Sequence, residues 1–478
     1  MRNGLLIVGA LLLASCSLGP EYRRPQLHIP NDWQATTLPV ESPADIASWW
    51  RRYEDPQLNV LIEQALANNL DLRVAAANVA EARAALGFAR ADRWPTLGLQ
   101  ADATRSRASE ESVASATNTS TNRQGNPRTL YGVAGVLNYE VDLFGALESA
   151  ATAAEARALE TRYTASAVRL TVVADVVSGY LNLRAAEAQM ALGEAAQRTR
   201  EAGLELEQAR LRFGATTRLT VLQAQAELDN ARSQTAIFAE TAARARTALA
   251  VLTGASPSAL LQQLTLPPVD VLAIATPSTV PPSLPSDLLE RRPDVAAAEA
   301  SLVAAHADVA AIRAAWLPRI NLSALIGTEA LTTGALFSGA ARTWSGGGAL
   351  LAPLLDFGRS EADTAGAQAR RERAEALYRQ SIQNALREVR DALAALSTAQ
   401  ARAAADANAA QALTEALGLA ERQYRSGYIR FADVLDVRRN LLAAQLNTAG
   451  SARDNRVAAA NLFKALGGGW HETGEPPL

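Results

Sequence analysis

The chain has 478 residues, a formal net charge of −3 and one cysteine, Cys16. At roughly 100 to 200 residues per domain, this length predicts two to four units or one large repeated body, and the near-neutral charge disfavours a nucleic-acid-binding surface, which needs excess basic side chains to neutralise phosphates. A single cysteine excludes an intrachain disulfide framework, and three histidines far apart in sequence disfavour a metal centre.

The N-terminus has the pattern of a bacterial lipoprotein signal. After a basic start, residues 5–13 form an apolar stretch that is too short to span a bilayer as a helix, which takes about 20 residues. The four residues that end at Cys16 (Leu-Ala-Ser-Cys) resemble a lipobox. We therefore predict a lipoprotein signal peptide over residues 1–15 and acyl chains, including palmitate, on Cys16, with no other cofactor; an ordinary secretory signal is the alternative. Ser17 stands where an inner-membrane lipoprotein tends to have aspartate, which implies delivery to the outer membrane.

Three patterns recur in the same order at nearly constant spacing, which predicts a tandem duplication; chance similarity between alanine-rich helices is the alternative. The matches are Asp71 with Asp294 at a spacing of 223 residues, Asp142 with Asp356 at 214, and Gly214 with Gly427 at 213. Prolines between the copies indicate a connector, since proline cannot continue a helix. The predicted order is a lipid-anchored N-terminal extended segment (16–57), a first repeat (58–253), the connector (254–286), a second repeat (287–466) and a C-terminal tail (467–478).

Each repeat opens with a helix of about 30 residues followed by two strands. The predicted helices span Leu58 to Arg93 and Leu288 to Trp316, and the strands span about 96–105, 130–142, 320–328 and 343–353. In the first strand, Leu97 and Leu99 alternate with Gln100 and Asp102, giving one apolar and one polar face. This period of two is typical of a transmembrane barrel strand, with a half-buried soluble sheet as the alternative.

Long helices follow the strands. Apolar residues spaced by three and four predict helices from about Ala146 to Arg212 and from Arg359 to Arg425, with Asp142 and Asp356 able to cap them. A helix of about 67 residues is roughly 100 Å long, which suits an object that crosses the periplasm. Each is predicted to turn at a glycine and return as a shorter helix, Thr220 to Leu252 and Asp433 to Leu466.

Four strands cannot close a barrel, and lipid cannot satisfy the backbone groups of an open sheet edge. Several chains must therefore share one barrel. Three chains would supply about twelve strands, with the helices continuing below as a hollow helical barrel.

Two motifs then carry a family resemblance. The start of the mature chain, Cys16-Ser-Leu-Gly-Pro-Glu-Tyr-Arg-Arg-Pro25, and the segment Leu288-Leu-Glu-Arg-Arg-Pro-Asp294 with the alanine-rich helix after it resemble lipid-anchored outer membrane factors of the OprM and NodT type, the TolC-like efflux family. The similarity extends over essentially the whole mature chain. It implies a mainly α fold with a membrane β-barrel part: a duplicated unit whose coiled-coil helices form a periplasmic α-barrel and whose four strands per chain contribute to a trimeric, 12-stranded outer-membrane barrel.

The resemblance also implies a function and partners. The chain would be the passive exit channel of a tripartite efflux pump that exports small molecules such as drugs or solvents from a Gram-negative cell. It would act as a homotrimer in outer-membrane lipid, with a periplasmic adaptor (membrane fusion) protein and an inner-membrane transporter, commonly of the RND class in that family. A channel for protein secretion and a lipid-anchored coiled-coil scaffold without a pore are the alternatives.

The resemblance assigns site residues to the end of the helices furthest from the strands. The adaptor-docking tips would be Phe213, Gly214, Ala215, Ser426, Gly427 and Tyr428, and the periplasmic gate would be Tyr424, Asp433 and Asp436. From the residues alone, a glycine in each turn is equally explained by backbone conformation, and the two aspartates are better explained as solvated helix-start acids. No nucleophile, paired-histidine or phosphate-loop pattern occurs in the sequence, so no catalytic residue and no enzymatic activity is expected.

Overall fold

The computed structural model describes residues 22–25, 48–107, 127–262, 266–277 and 292–468. The predicted signal peptide and the predicted lipidation site Cys16 lie outside the described residues. So do part of the connector and all but the first two residues of the C-terminal tail.

The strands form one antiparallel sheet in the order β1-β2-β3-β4. Their bounds are Thr96–Ser106 (β1), Arg128–Val141 (β2), Arg319–Ala330 (β3) and Arg342–Leu351 (β4). The four predicted strands are thus confirmed, including the last, although Gly346, Gly347 and Gly348 interrupt its sequence pattern. Among the residues that the structure describes, β1 and β4 each pair with one neighbour only, so both edges of this sheet are open.

The register of the sheet keeps apolar and polar residues on opposite faces. One row across all four strands places Leu99, Gly135, Ile326 and Trp344 side by side, and another places Asp102, Gly132 and Glu329 on the opposite face. Leu99 and Trp344 are both 80% exposed in the single chain. Large exposed apolar side chains on one face are the pattern of a lipid-facing side, and the predicted alternation is confirmed.

Eight α-helices account for most of the described residues. They are α1 (Pro56–Asn68), α2 (Leu70–Ala91), α3 (Ala146–Arg212), α4 (Arg218–Leu252), α5 (Pro257–Leu261), α6 (Pro293–Ala315), α7 (Arg359–Arg425) and α8 (Phe431–Ala465). The long helices α3 and α7 have 67 residues each, and the return helices α4 and α8 have 35 each. Both hairpins therefore begin, turn and end 213 residues apart, which supports the predicted duplication.

The aspartates after the second strand of each repeat hold the start of the long helices. Asp142 accepts a hydrogen bond from the Glu148 backbone N–H (2.8 Å), and Asp356 accepts from the Ser360 backbone N–H (3.0 Å). Hydrogen bonds from the first N–H groups of a helix, which have no partner inside it, stabilise that end. The predicted capping role of both aspartates is confirmed.

The prediction of one helix from Leu58 to Arg93 was wrong in one respect: the structure has two helices there, divided at Asn69. The side chain of Asn69 accepts hydrogen bonds from the backbone N–H groups of Asp71 (2.8 Å) and Leu72 (3.2 Å), so it caps α2. Its amide also donates to the carbonyl of Leu252, at the end of α4 (2.9 Å). Asparagine competes for backbone groups in this way, and tertiary contact with α4 fixes the break.

The long hairpins pack into one helical wall. Near the sheet, α6 packs between α3 and α7. Further from the sheet, α8 packs between the same two helices. Among the described helices, α6 alone is apolar and long enough to cross a membrane by composition. Its contacts with α3 and α7 instead make it part of the helical wall.

The main core lies beside the middle of α3. Trp49, which is fully buried, stacks on Phe463 of α8 with ring centroids 5.4 Å apart, and both belong to a cluster that includes Tyr180 and Leu249. Tyr180 donates a hydrogen bond to Asp55 (2.5 Å), just before α1. Residues before the first repeat therefore complete the core of the helical hairpins.

Two arginines hold α6, α8 and the connector together. Arg292 donates to the carbonyl of Ala465 at the end of α8 (2.9 Å) and to Glu388 of α7 (2.7 Å). Arg456 of α8 donates to the carbonyl of Ile274 in the connector (2.5 Å). These charge-assisted bonds fix the start of α6 and the connector against α8.

Candidate functional site

The two helix-to-helix turns have the same backbone. Gly214 and Gly427 have φ values of 68° and 79°, the left-handed conformation that glycine adopts without steric cost. In the first turn the Ala215 N–H donates to the Arg210 carbonyl (2.8 Å), and in the second the Tyr428 N–H donates to the Gln423 carbonyl (2.9 Å). These bonds close each long helix with a Schellman motif.

The side chains of the two turns differ although their backbones match. Phe213, before the first glycine, is 87% exposed, and Tyr428, after the second glycine, is 84% exposed. Each tip thus presents one large aromatic side chain to solvent. It precedes the glycine in the first tip and follows it in the second. Exposed aromatic side chains are enriched where proteins bind partners, because they offer a large contact area.

Tyr424 lies in a partly buried polar cluster one turn above the second tip. Its hydroxyl donates to Glu207 of α3 (3.0 Å) and accepts from Arg210 of the same helix (2.8 Å). Glu207 is only 1% exposed and also binds Arg210 (3.3 Å). Burial and the hydrogen bond to Glu207 raise the pKa of Tyr424 above its usual value. This cluster joins the ends of α3 and α7 through a charge-assisted network.

Sequence reasoning named Tyr424 but missed Glu207 and Arg210. The corresponding residue to Tyr424 in the first repeat is Leu211, and the counterpart of Glu207 is Ala420. Tyr424 and Glu207 are thus polar where the other repeat has apolar residues. This difference between the repeats was the sequence signal that the two hairpins make different contacts.

Asp433 and Asp436 each bind an arginine of the same helix region. Asp433 accepts from the backbone N–H of Arg430 (2.9 Å) and from its guanidinium (3.2 Å), and the first of these bonds is the one that the acidic residue of a capping box makes at the start of a helix. These hydrogen bonds lower the pKa of Asp433 below its usual value. Asp436 binds Arg439 (2.9 Å), which also binds Glu227 of α4 (2.9 Å).

The structure therefore brings the three predicted gate residues to one end of the molecule without joining them directly. Tyr424 contacts the start of α8 through the ring of Phe431, with centroids 5.5 Å apart. Among the described residues, no group of three or more His, Cys, Asp or Glu side chains could hold a metal ion.

Comparisons with known proteins cover nearly the whole chain. The model of the family described as outer membrane efflux protein matches residues 61–255 and 284–468. The outer membrane protein OprJ of Pseudomonas aeruginosa is 35% identical over 478 residues, covering 99% of this chain and 98% of OprJ. The toluene efflux pump outer membrane protein TtgC of Pseudomonas putida is 34% identical over 473 residues, covering 98% and 95% of the two chains. A crystal structure of a membrane protein from Pseudomonas aeruginosa, 33% identical, superposes with a TM-score of 0.85 and covers 94% of this chain and 100% of that one.

Proposed function

The chain belongs to the outer membrane efflux protein family, and on that premise we propose that it is the exit channel of a tripartite efflux pump. The channel is a passive homotrimeric conduit for small molecules, without an enzymatic step of its own. It works with a periplasmic adaptor and an inner-membrane transporter of the RND class. Export of a hydrocarbon by a pump containing TtgC, as that relative's name states, supports a small-molecule cargo.

The open four-stranded sheet is the observation that carries this proposal. Its edge strands β1 and β4 have 11 and 10 residues, so β4 of one chain matches β1 of the next in length. Each unpaired backbone group in lipid costs several kcal/mol, and closure by neighbouring chains removes that cost. Twelve strands about 4.8 Å apart and tilted by about 40° enclose a barrel about 24 Å wide between backbones, which is ample for small solutes.

Measurements of mass and conductance test whether the protein forms a trimeric channel. The mature protein extracted in mild detergent should have the mass of a trimer, and after insertion into planar bilayers it should give discrete single-channel steps. A monomer without conductance would contradict the proposal, and a trimer without conductance would favour a scaffold.

Tyr424, Asp433 and Asp436 form the periplasmic gate in this proposal. In a trimer the two aspartates supply a ring of carboxylates, which concentrates negative potential in a narrow opening and attracts multivalent cations. A trivalent cation added on the helical side should block conductance. Since asparagine can still accept the capping bonds, Asp433→Asn with Asp436→Asn removes charge while keeping the start of α8, and it should weaken the block. Block of equal affinity in this variant at low salt would contradict the assignment.

The two turns are the adaptor-docking tips in this proposal. Phe213, Gly214, Ala215, Ser426, Gly427 and Tyr428 form them. The exposed aromatic side chain on each tip supports docking. Tyr428→Glu should reduce chemical crosslinking to the adaptor and reduce efflux while leaving the trimer yield unchanged. Unchanged crosslinking and efflux would contradict tip docking.

Cys16 carries the lipid anchor in this proposal, and the lipobox-like sequence before it supports the assignment. Acyl chains each contribute about 0.8 kcal/mol per buried CH₂ group, so several chains hold the N-terminus at the membrane. Cys16→Ala should abolish labelling with palmitate in growing cells. Labelling at the wild-type level would contradict the anchor.

A further inference from the structure

A cleft of about 750 Å³ lies where the strands meet the helices. We call it the junction cleft and define it by Arg319, Arg359 and Arg370 together with Trp316 and Leu351, all of which line it. Arg319 begins β3, Arg359 begins α7, and Arg370 lies three turns further along α7. Asp363 is the one acidic side chain among its lining residues, so the cleft carries a net positive charge.

The arginines of the junction cleft are not used by the fold. Many arginines of the helical part hold a carboxylate or a carbonyl, as Arg292 and Arg439 do. In contrast, the side chains of Arg319, Arg359 and Arg370 make no hydrogen bond or ion pair with any residue that the structure describes. Within one chain, their donors therefore remain unused.

Strand alternation places the cleft on the inner side of the channel wall. Arg319 precedes Ile320, which lies on the lipid-facing side with Ile326 and opposite to Asn321. Arg319 therefore shares the polar face of the sheet, which becomes the lumen of the barrel.

From this placement we infer that the junction cleft binds amphipathic anions in the lumen, with the guanidinium groups of Arg319, Arg359 and Arg370 holding a carboxylate, sulfonate or phosphate. Guanidinium matches these planar or tetrahedral anions with paired donors. Trp316 and Leu351 offer apolar surface to the rest of the molecule. The lumen face of the strands above carries Asp102, Glu140 and Glu329, so the cleft is a positive zone below an acidic one.

This inference rests on the proposed channel only in that the cleft faces a lumen, so it is tested by equilibrium binding, which needs no conductance. The mature protein is reconstituted into nanodiscs of phosphatidylcholine, and binding of 1-pyrenesulfonate is measured by fluorescence anisotropy, with empty nanodiscs as background. The uncharged analogue 1-pyrenemethanol reports apolar contact alone. We expect Arg319→Gln with Arg359→Gln and Arg370→Gln to weaken sulfonate binding about tenfold or more and higher salt to weaken wild-type binding.

A matched variant separates local recognition from net charge. Arg198→Gln with Arg232→Gln and Arg244→Gln removes the same charge from exposed side chains of α3 and α4 and should bind as the wild type does. Equal affinity of the cleft variant and the wild type, equal affinity for the uncharged probe, or an equal loss in the matched variant would overturn the inference. Competition by phosphatidylglycerol in the disc would also overturn it, because a lipid headgroup cannot reach a lumenal cleft. Conductance measured on the same preparation tests the channel separately.

Discussion

Replacing Tyr424 by phenylalanine should open the channel more often. The change removes one hydroxyl, which donates to Glu207 and accepts from Arg210. The ring, its contact with Phe431 and the backbone of α7 remain. The variant therefore tests the polar link between α3 and α7 and leaves the packing around it in place.

The size of the effect follows from the burial of Glu207. This carboxylate is 1% exposed, so water cannot replace the lost hydrogen bond without a local rearrangement. A hydrogen bond to a charged group contributes about 2 kcal/mol. If opening separates the two helix ends, the closed state loses that amount, and the opening equilibrium shifts about 30-fold.

Single-channel recording measures this shift as open probability. Tyr428→Phe is the matched control, because it removes the same hydroxyl from a side chain on the second tip that is 84% exposed. The control should behave as the wild type does. An open probability in Tyr424→Phe within a factor of two of the wild type, in a stable trimer, would refute the reasoning that this cluster holds the channel closed.

Gly327→Val should reduce the yield of assembled channel, because a Cβ atom at Gly327 would lie 2.3 Å from the carbonyl oxygen of Val133 on β2. The control is Gly98→Val, where a Cβ atom meets nothing within 4 Å. Membrane fractionation measures the yield of both variants. Equal yields would contradict the crowding at β3. For Asp433, the folded pKa is lowered, so its capping bonds to Arg430 stabilise the start of α8 above the usual aspartate pKa of about 4 and are lost as pH falls through the lowered value. Hydrogen exchange of the first turn of α8, corrected for intrinsic rates, should therefore show protection that falls in acid, and Asp433→Asn should remove this pH dependence; equal acid sensitivity in both proteins would contradict it.

The sequence predicted the regular parts of the fold because each is encoded locally. Alternation in β1 and β2 set the faces of the sheet, and the three-four spacing of apolar residues predicted both 67-residue helices with the bounds that the structure shows. The break at Asn69 was missed because an asparagine inside an apolar helical pattern has no obligatory meaning. Only its hydrogen bond to the carbonyl of Leu252, 183 residues away in sequence, fixes Asn69 as the cap of α2.

The sequence predicted where the two turns lie, but not the contacts of the residues around them. The glycines at the two turns follow from local backbone preference, and the structure confirms their left-handed conformation. The partners of Tyr424 come from a helix 214 to 217 residues earlier in the chain, which no local pattern encodes. The arginines of the junction cleft are likewise distributed over β3 and α7, and their lack of partners among the described residues is a property of the folded chain.

The equal lengths of the two hairpins have a consequence for the stoichiometry that a partner encounters. Since both turns have the same backbone and lie at the end of 67-residue helices, a trimer would present six tips of one backbone shape in a ring. Their carboxylates alternate, because Thr220 and Gln223 stand in the first hairpin where Asp433 and Asp436 stand in the second. A protein that recognises the backbone shape alone would find six equivalent places, whereas one that recognises the carboxylates would find three. The duplication thus gives the ring sixfold geometry and threefold electrostatics, and the subunit count of a bound partner reports which of the two it recognises.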